Sequence, residues 1–472
     1  MHNIGLRHRH VSRRAFLGQV GSGAALLASG GCSPSAGTKT NGPVSVVLVV
    51  LDTVRAQSCG AWGHKRNTTP HLDKLASQST RYNMAISPAP WTLPAHVGLF
   101  TGNYTMEHGV RGYIYTDDAG QRRIRENALP DDAVTVAEQL YHRGYGTASF
   151  SANTGYMAPY FNLSQGFETY HLEQIPGVDL AKKALGWVAD TEGPSFLFCN
   201  FMDAHRPYNL SPCPETLPGD VSEDLTLLDT LREKTLAHPE LVDQTLADRV
   251  TGQYELGVAN ADRALGTLIA GLKAQGRFED TLLIVCADHG EYLGEHGLVE
   301  HSKDVYQEAV HVPLVVKAPR QAIGTRVDWP VSLTQVPSTI YTHAGLPLAA
   351  GLPPLDIQDE TFPVISENYY SRDWDYTDSR WPGRFDRIRT AYYAYPWKYI
   401  HSSDGADELF DLSVDPDEQR NCRETEVATY RRLRNRCEAL LATRRRPREA
   451  GALDGESLPD AAIEELRTLG YL

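Results

Sequence analysis

Carboxylate, imidazole and hydroxyl side chains follow four apolar stretches of the sequence, and these residues have the chemistry of a functional site. They are Asp52, Thr92, Asp203 with His205, and Asp288 with His289. A single aspartate after a strand is more often a helix cap than a ligand. The four sets together favour a site, because open α/β sheets bind their ligands at the carboxyl ends of strands.

Thr92 belongs to the segment Ala89–Gly102, which predicts a loop entering a helix. Pro94 suits a first helical turn, where its missing N–H is not needed. The amino end of that helix would point its dipole at whatever Thr92 contacts. A basic residue, His96, follows four positions after Thr92. This arrangement favours an anionic guest.

Continuous apolar runs predict the strands that position these residues. The run Val46–Leu51 predicts a central parallel strand that is buried on both faces. Further strands are predicted near Gly144–Phe150, Ser195–Phe201, Leu282–Ala287 and Val312–Lys317. Helices are predicted at Asp131–His142, from Arg249 to about Gln275, and at Leu333–Ala344. The alternation predicts an α/β fold with a doubly wound, mostly parallel sheet.

The remaining segments are less regular. Asn67–Leu75 predicts a capped helix start, and Tyr82–Ile86 predicts a strand that delivers Thr92. Pro212–Asp248 is polar and acidic without a strong period, which is typical of a surface insertion. Gly351–Asp356 is rich in Gly and Pro and predicts a linker, and Thr390–His401 alternates as a strand does.

The segment Ala89–Gly102 resembles the signature of the sulfatases, in the alkaline phosphatase superfamily. In that signature Cys or Ser is followed by Pro at plus two and Arg at plus four, and the run ends in Thr-Gly. Pro94 and Thr101-Gly102 match, whereas Thr92 and His96 replace the Cys or Ser and the Arg. The family oxidises that Cys or Ser to formylglycine, so the two replacements imply an enzyme without formylglycine.

The segment Asp288–Gly297 resembles the second metal motif of the same family. The resemblance implies a divalent metal held by Asp52, Asp288, His289 and Thr92. Many sulfatases have paired aspartates where this chain has Asp52-Thr53, and often Asn where it has His289. Exchanging a carboxylate for an imidazole favours Zn²⁺ or Mn²⁺, with Ca²⁺ and Mg²⁺ as alternatives.

The resemblance also implies residues that contact the substrate. His205 and His301 fall at catalytic positions that hold the oxyanion or protonate the leaving group. The positions that bind the substrate are His96, Asn153 and Lys303. A solvated loop is the alternative for His301 and Lys303. A second metal at Asp203, His205 and His301 is a further alternative, and His108 and His296 are interpreted as structural.

The resemblance covers the chain from Val46 onward. It implies a catalytic domain at 45–350 and a C-terminal subdomain at 351–472, with a small antiparallel sheet and a helix. Glu408–Leu412, Pro416–Asn421 and the ending Leu466–Leu472 resemble the family in this part of the chain.

The composition limits the partners. A formal net charge of −14 argues against nucleic acid or an anionic membrane surface, because phosphate polyanions bind basic faces. The expected substrate is a small-molecule or glycan ester at a locally basic or metal-loaded site. The sequence does not predict an oligomeric state.

The amino-terminal residues 1–32 predict a targeting segment. Ser12–Leu17 resembles a twin-arginine export signal, and its Arg13 and Arg14 precede the small apolar run Ala15–Gly31. A membrane anchor is the alternative, but the run is short and rich in Gly and Ala. Ser29–Cys32 resembles a lipoprotein cleavage box, so a lipid anchor at Cys32 is a second alternative. We expect a periplasmic or membrane-anchored protein with a linker at 33–44.

Six cysteines remain after Cys32, and an even number permits disulfides in an exported chain. Cys199 and Cys286 lie in strand-like apolar runs and are predicted to be buried free thiols. Cys422 and Cys437 are predicted to pair.

These expectations combine into one leading function. The sequence predicts a metal-dependent hydrolase of sulfate or phosphate esters with unmodified Thr92 as the nucleophile, and with phosphoester or phosphodiester cleavage favoured. A sulfatase that works without formylglycine is the second hypothesis. The third is a catalytically silent binder of sulfated or phosphorylated glycans.

Overall fold

The computed structural model describes residues 43–213, 221–238, 243–348, 351–370 and 372–444. The strands in these ranges are β1 (Val46–Leu51), β2 (Thr80–Tyr82), β3 (Ala85–Ile86), β4 (Gly112–Thr116), β5 (Arg122–Glu126), β6 (Gly146–Ser151), β7 (Thr169–Leu172), β8 (Ser195–Phe201), β9 (Leu282–Cys286), β10 (Tyr292–Leu293), β11 (Val299–Glu300), β12 (His311–Val312), β13 (Leu314–Lys317), β14 (Thr325–Val327), β15 (Val331–Ser332), β16 (Val364–Tyr369), β17 (Ile388–Ala394), β18 (Trp397–Ser402) and β19 (Glu408–Asp411).

The α-helices in the same ranges are α1 (Pro70–Ala76), α2 (Thr92–Thr101), α3 (Thr105–His108), α4 (Val136–Tyr141), α5 (Gly177–Asp190), α6 (Thr226–Ala237), α7 (Gln244–Ala274), α8 (Gln307–Val310), α9 (Val336–Ala344), α10 (Asp373–Thr377) and α11 (Val427–Arg444). Short 3-10 turns lie between them, and one of these is Glu295–Gly297.

The main sheet has eight strands in the order β14-β2-β13-β9-β1-β8-β6-β7. The central strand β1 pairs in parallel with β8 on one side and with β9 on the other. Within this sheet β13 runs antiparallel to both of its neighbours. Every residue of β1, β8 and β9 is buried, and because successive side chains point to opposite faces, both faces of the sheet are covered. The predicted α/β fold with a mostly parallel sheet is confirmed.

Helix α7 buries one apolar face along its length. The predicted stripe along it is buried, and comprises Val258, Ala261, Leu265, Leu268 and Leu272. The helix begins five residues before its predicted start, because Asp243 accepts the N–H of Thr245 at 3.0 Å and caps the first turn.

Several predicted elements have different limits in the structure. The predicted strand Tyr82–Ile86 is wrong as one strand, because β2 joins the main sheet and β3 joins a small sheet with β12 and β15. The predicted helix Asp131–His142 shortens to α4, which starts where Thr135 and Glu138 form a reciprocal capping box.

The predicted surface insertion Pro212–Asp248 contains α6 and the start of α7 in its described part. Helix α6 buries Leu227, Leu228, Leu231 and Leu236. A spacing of three to five residues is typical of a helix. The many polar residues around these leucines make the periodicity weak in the sequence.

The C-terminal residues form a four-stranded antiparallel sheet in the order β16-β17-β18-β19, and α11 packs on it. This confirms the predicted small antiparallel sheet with a helix. The predicted strand Thr390–His401 is a hairpin of β17 and β18, which turns at Tyr395-Pro396. The predicted linker Gly351–Asp356 is hydrogen-bonded to α9, since Ser338 Oγ donates to the carbonyl of Leu352 at 2.7 Å.

The cysteines in the described residues are all free and buried, which confirms the prediction for Cys199 and Cys286. The predicted Cys422–Cys437 disulfide is wrong. Cys437 packs in an apolar cluster with Tyr399 and Leu433, whereas Cys422 Sγ lies 3.3 Å from the carbonyl oxygen of Arg420. Each thiol therefore has its own environment.

Three predictions concern residues outside the described ranges. These are the export signal and lipid anchor within residues 1–32, the first ten residues of the linker, and the ending Leu466–Leu472. Among the helices described, none is long and apolar enough to span a bilayer.

Candidate active site

The neighbouring strands β1 and β9 deliver three metal-ligating side chains to one place. Asp52 follows β1 directly, and Asp288 and His289 follow β9. Because β1 and β9 are parallel and paired, their carboxyl ends meet at one edge of the sheet. One ligand atom from each of the three residues lies within 4.8 Å of the others, and all three residues are buried. They form a group able to hold a metal ion.

Each carboxylate in this group has one oxygen held by the protein and one without a hydrogen bond. Asp52 Oδ2 accepts from Asn153 Nδ2 at 3.2 Å and from Asn200 Nδ2 at 3.1 Å. Asp288 Oδ1 accepts two backbone N–H groups at 2.9 and 3.2 Å. Asp52 Oδ1 and Asp288 Oδ2 are buried and accept no hydrogen bond from any described residue. Burying a carboxylate oxygen without a hydrogen bond costs free energy. The position of both oxygens within one group therefore fits a cation bound between them.

The imidazole of His289 completes the group with its lone pair. Its Nδ1 lies 3.0 Å from the carbonyl oxygen of Gly290, which can only accept, so Nδ1 carries the proton. Its Nε2 then faces Asp288 Oδ2 at 3.3 Å and Asp52 Oδ1 at 3.9 Å. Ligands about 2.0–2.1 Å from a tetrahedral ion are about 3.3 Å apart, so the distance to Asp288 Oδ2 fits two ligands of one divalent ion.

The ionisation of the group also fits a bound cation. Burial raises the pKa of Asp52 to about 7, and the nearby charge of Asp288 adds to the rise. Burial likewise raises the pKa of Asp288 to about 7 and lowers the pKa of His289. Two buried carboxylates beside a neutral imidazole stay ionised at neutral pH when a cation compensates them.

Thr92 is the first residue of α2, as its sequence context predicts. Its Oγ1 lies 3.2 Å from Nε2 of His289, so the hydroxyl borders the metal-ligating group. Trp91 before it is extended and supplies no side-chain cap. The N–H groups of the first helical turn therefore remain available to an anion in front of Thr92.

His96 lies one helical turn behind Thr92, in contrast to the substrate contact that the resemblance implied. Its Nδ1 lies 2.9 Å from the carbonyl oxygen of Thr92 and 3.5 Å from Asp288 Oδ2. The ring packs edge-on against Phe100 and Phe198, and burial lowers its pKa to about 4. This neutral imidazole positions Thr92 and Asp288.

Three histidine rings form a row that starts at the metal-ligating group. The ring centroids of His289 and His301 are 4.5 Å apart, and those of His301 and His205 are 5.2 Å apart. His301 Nδ1 contacts Glu291 Oε1 at 3.1 Å, and His205 Nδ1 donates to the carbonyl of Arg206. Burial lowers the pKa of His205 to about 3 and that of His301 well below its usual value. The structure thus brings both predicted catalytic histidines beside His289.

Lys303 lies next to this row, with its ammonium 3.5 Å from the carbonyl oxygen of His301. Its ammonium is fully buried and lies 3.0 Å from Asp375 and 3.4 Å from Glu300. Glu300 also pairs with Arg372 at 2.9 Å. Lys303 belongs to a buried ion-pair network next to the site. Its alternative interpretation as a solvated loop residue is wrong, and its substrate contact stays a prediction.

Asn153 and Asp203 both make hydrogen bonds close to the site. The amide of Asn153 donates to Asp52 and orients a metal ligand, and its substrate contact stays a prediction. Asp203 accepts the N–H of Gly177 at 3.1 Å and the side-chain amide of Asn209. In the described part of the chain, no metal-ligating group combines Asp203 with His205 and His301. The predicted second metal at those residues is therefore not formed.

Sequence analysis missed two residues of the site. Asn200 holds Asp52 Oδ2, and a polar residue inside the otherwise apolar strand β8 was the signal for it. Glu291 holds His301, and it follows the motif residue His289 by two positions. His108, interpreted as structural, accepts the N–H of Val110 through Nδ1 at 3.0 Å.

Comparison with known proteins agrees with this geometry. A family model described as Sulfatase matches residues 45–346. The chain is 22% identical over 415 residues to the ulvan-active sulfatase of Formosa agariphila. The alignment covers 80% of this chain and 76% of that relative.

Two solved structures share the fold. One is the phosphonate monoester hydrolase of Agrobacterium radiobacter, with a TM-score of 0.66, 18% identity, and coverage of 85% of this chain and 96% of that chain. The other is a 2-O GAG sulfatase, with a TM-score of 0.65, 16% identity, and coverage of 85% and 93%. With a family model matching most of its length, the chain belongs to the sulfatase family of the alkaline phosphatase superfamily, and it is an ester-cleaving hydrolase.

Proposed function

We propose that this chain is a metal-dependent hydrolase of phosphate esters or diesters that uses unmodified Thr92 as its nucleophile. The observation that carries the proposal is the placement of Thr92 Oγ1 at 3.2 Å from His289 Nε2, beside two carboxylate oxygens without hydrogen bonds. A hydroxyl is a weak nucleophile, and contact with a cation is a sufficient activator.

Asp52, Asp288, His289 and Thr92 would hold the cation. When bound there, a divalent ion lowers the pKa of a hydroxyl and stabilises negative charge on the attacked ester. One nitrogen and three oxygen ligands favour Zn²⁺ or Mn²⁺ over Ca²⁺, which takes more ligands and prefers oxygen alone. Asn153 and Asn200 keep Asp52 in the orientation that this requires.

The residues of the chain divide the reaction into two steps. Thr92 loses its proton to solvent and attacks phosphorus, which breaks the bond to the leaving alcohol and forms a phosphothreonine ester. His301 lies beside His289, and His205 lies beside His301. These two rings are neutral in the free protein, and they become the proposed proton donors to the leaving oxygen when the negative charge of the bound ester raises their pKa. Water then attacks phosphorus, which frees phosphate and restores Thr92. The N–H groups at the start of α2 bind the oxyanion in both steps.

Phosphorus is favoured over sulfur by the way in which the intermediate breaks down. A formylglycine hydrate can expel sulfate by collapsing to an aldehyde, so its own C–O bond breaks. Threonine has one hydroxyl on its β-carbon, and its ester must be cleaved by water at the central atom. Phosphoryl transfer readily follows this route, whereas a sulfated threonine resists it.

A formylglycine-free sulfatase is the second candidate, and membership in the sulfatase family favours it. The name of the ulvan-active relative further supports a glycan ester as the substrate class. A panel of aryl sulfate, phosphate monoester and phosphodiester substrates separates the candidates. Phosphodiester or monoester turnover above sulfate turnover supports the leading proposal, and sulfate turnover above both supports the second candidate.

We further propose that the chain is exported in a folded state through its twin-arginine segment and acts in the periplasm or on a membrane lipid anchor. Replacing Arg13 and Arg14 by lysines should retain the protein in the cytoplasm. Cys32→Ala should release it from the membrane fraction if the lipid anchor is present.

A further inference from the structure

A second group of metal-ligating side chains lies outside the active site. It consists of His296 in the 3-10 turn Glu295–Gly297, Glu308 on α8, and Glu418 in the loop after β19. One ligand atom from each lies within 4.8 Å of the others. Nothing in the proposed reaction uses these three residues.

Each of the three has a buried side-chain atom that is able to ligate a metal ion. The atoms are His296 Nε2, Glu308 Oε2 and Glu418 Oε1. Their side chains are 10%, 8% and 0% exposed. His296 Nε2 lies 3.3 Å from Glu308 Oε2, which is about the separation of two ligands on one tetrahedral ion.

The backbone and neighbouring side chains hold two of these ligands in place. His296 has φ 55° and Glu418 has φ 52°, a left-handed conformation that is costly for residues with a β-carbon. The His296 ring is stacked on Tyr306 with centroids 3.9 Å apart and planes 9° apart. Glu418 Oε2 accepts the N–H of Gln307 at 2.6 Å, which leaves Oε1 directed to the group.

The charges around the group leave room for a cation. Lys398 lies 2.6 Å from Glu418 Oε1 and also donates to the carbonyl of Val305 at 2.7 Å. With a neutral imidazole, two carboxylates and one ammonium sum to a charge of −1. Protonation of His296 is the competing way to balance that charge. Burial lowers the pKa of His296, but Glu308 raises it above its usual value overall.

We propose that His296, Glu308 and Glu418 form a second divalent-cation site, distinct from the active site, that takes a borderline ion such as Zn²⁺. One imidazole nitrogen and two carboxylate oxygens are the donors that such an ion prefers. The site joins the turn at Glu295–Gly297 and α8 to the residues beyond β19. A bound ion there stabilises the folded protein by mass action, because the unfolded chain lacks the site.

The test removes the active-site metal first, so that failure of the proposed function does not affect the result. The full-length double variant Asp52→Asn/Asp288→Asn is titrated with Zn²⁺ by calorimetry and with Co²⁺ by absorption. We expect one equivalent of Zn²⁺ to bind, a Co²⁺ spectrum of low coordination number, and a higher Tm with Zn²⁺.

Adding His296→Gln to that variant should weaken Zn²⁺ binding by at least about 10-fold and abolish the rise in Tm. Glu418→Gln serves as a second ligand variant if the first does not fold. His171→Gln is the matched control, since its Nε2 also lies 2.9 Å from a glutamate but at a partly exposed site. The proposal is overturned if the double variant binds no Zn²⁺, or if the ligand variants bind as the control does. A proton on His296 would then balance the group.

Discussion

Thr92 and His289 are 197 residues apart in the sequence, yet Thr92 Oγ1 lies 3.2 Å from Nε2 of His289. The fixed tautomer of His289, with Nδ1 bound to a backbone carbonyl, turns the lone pair of Nε2 towards this hydroxyl. The contact places a hydroxyl at the edge of a metal-ligating group, and it requires no modification of the residue. The predictions for the reaction follow from this pair.

The first prediction concerns the nucleophile. Thr92→Ala should abolish ester hydrolysis, because no other hydroxyl replaces Oγ1, whereas Thr92→Ser should retain part of the activity. The affinity for the metal should change by no more than about 10-fold in either variant, since the two carboxylates and His289 remain. Peptide mass spectrometry of the wild-type protein should show unmodified Thr92, and a mass change that matches oxidation there would contradict the proposal.

The second prediction concerns the metal. Asp288→Asn should lower both metal content and activity, because it removes the negative charge of a ligand whose Oδ2 accepts no hydrogen bond from any described residue. Wild-type protein should bind Zn²⁺ or Mn²⁺ in preference to Ca²⁺. Elemental analysis of protein purified without added metal is the measurement. A full complement of Ca²⁺ would count against the ligand assignment.

The third prediction tests Asn200, a residue that sequence analysis missed. Asn200→Leu removes one of two amide donors to Asp52 Oδ2 and should reduce metal affinity by about 10-fold to 100-fold. Asn260→Leu is the matched control, because this buried amide donates to the carbonyls of Asn209 and Ser211. Equal metal affinities in the two variants would remove the positioning role of Asn200.

The fourth prediction concerns substrate class. If the phosphothreonine route is correct, turnover of phosphate esters should exceed turnover of the matching sulfate esters, and a phosphorylated Thr92 should be trapped by rapid acid quenching. Quenched samples are read by mass spectrometry. Faster sulfate turnover with plain threonine would instead establish the formylglycine-free sulfatase.

The fifth prediction uses two glycines on α7. A β-carbon at Gly257 would lie 2.5 Å from the carbonyl oxygen of Asp203, where α7 presses on the segment that carries His205. Gly257→Ala should therefore destabilise the protein by about 1–3 kcal/mol and lower activity. Gly252→Ala on the same helix meets no atom within 4 Å, and should stabilise it by about 0.5–1 kcal/mol. Urea unfolding measures both, and a common sign would refute the close contact.

Local order determined most of what the sequence predicted correctly. The run Val46–Leu51 and the mostly apolar run Ser195–Phe201 match β1 and β8 residue for residue, because strands buried on both faces are mostly apolar. Thr92 starts α2 because Pro94 suits the first helical turn. Asp52, Asp288 and His289 lie together because paired parallel strands end at one edge of the sheet.

The tertiary structure decided what each neighbouring side chain does. His96 and Lys303 both have side chains that can bind an anion. In the structure His96 contacts the backbone of Thr92, and Lys303 pairs with Glu300 and Asp375. Residue type and spacing place a side chain on an element, whereas its partners come from elements hundreds of residues away. The sequence alone therefore determined the strands and the ligand set, and packing between distant elements assigned the roles of the residues around them.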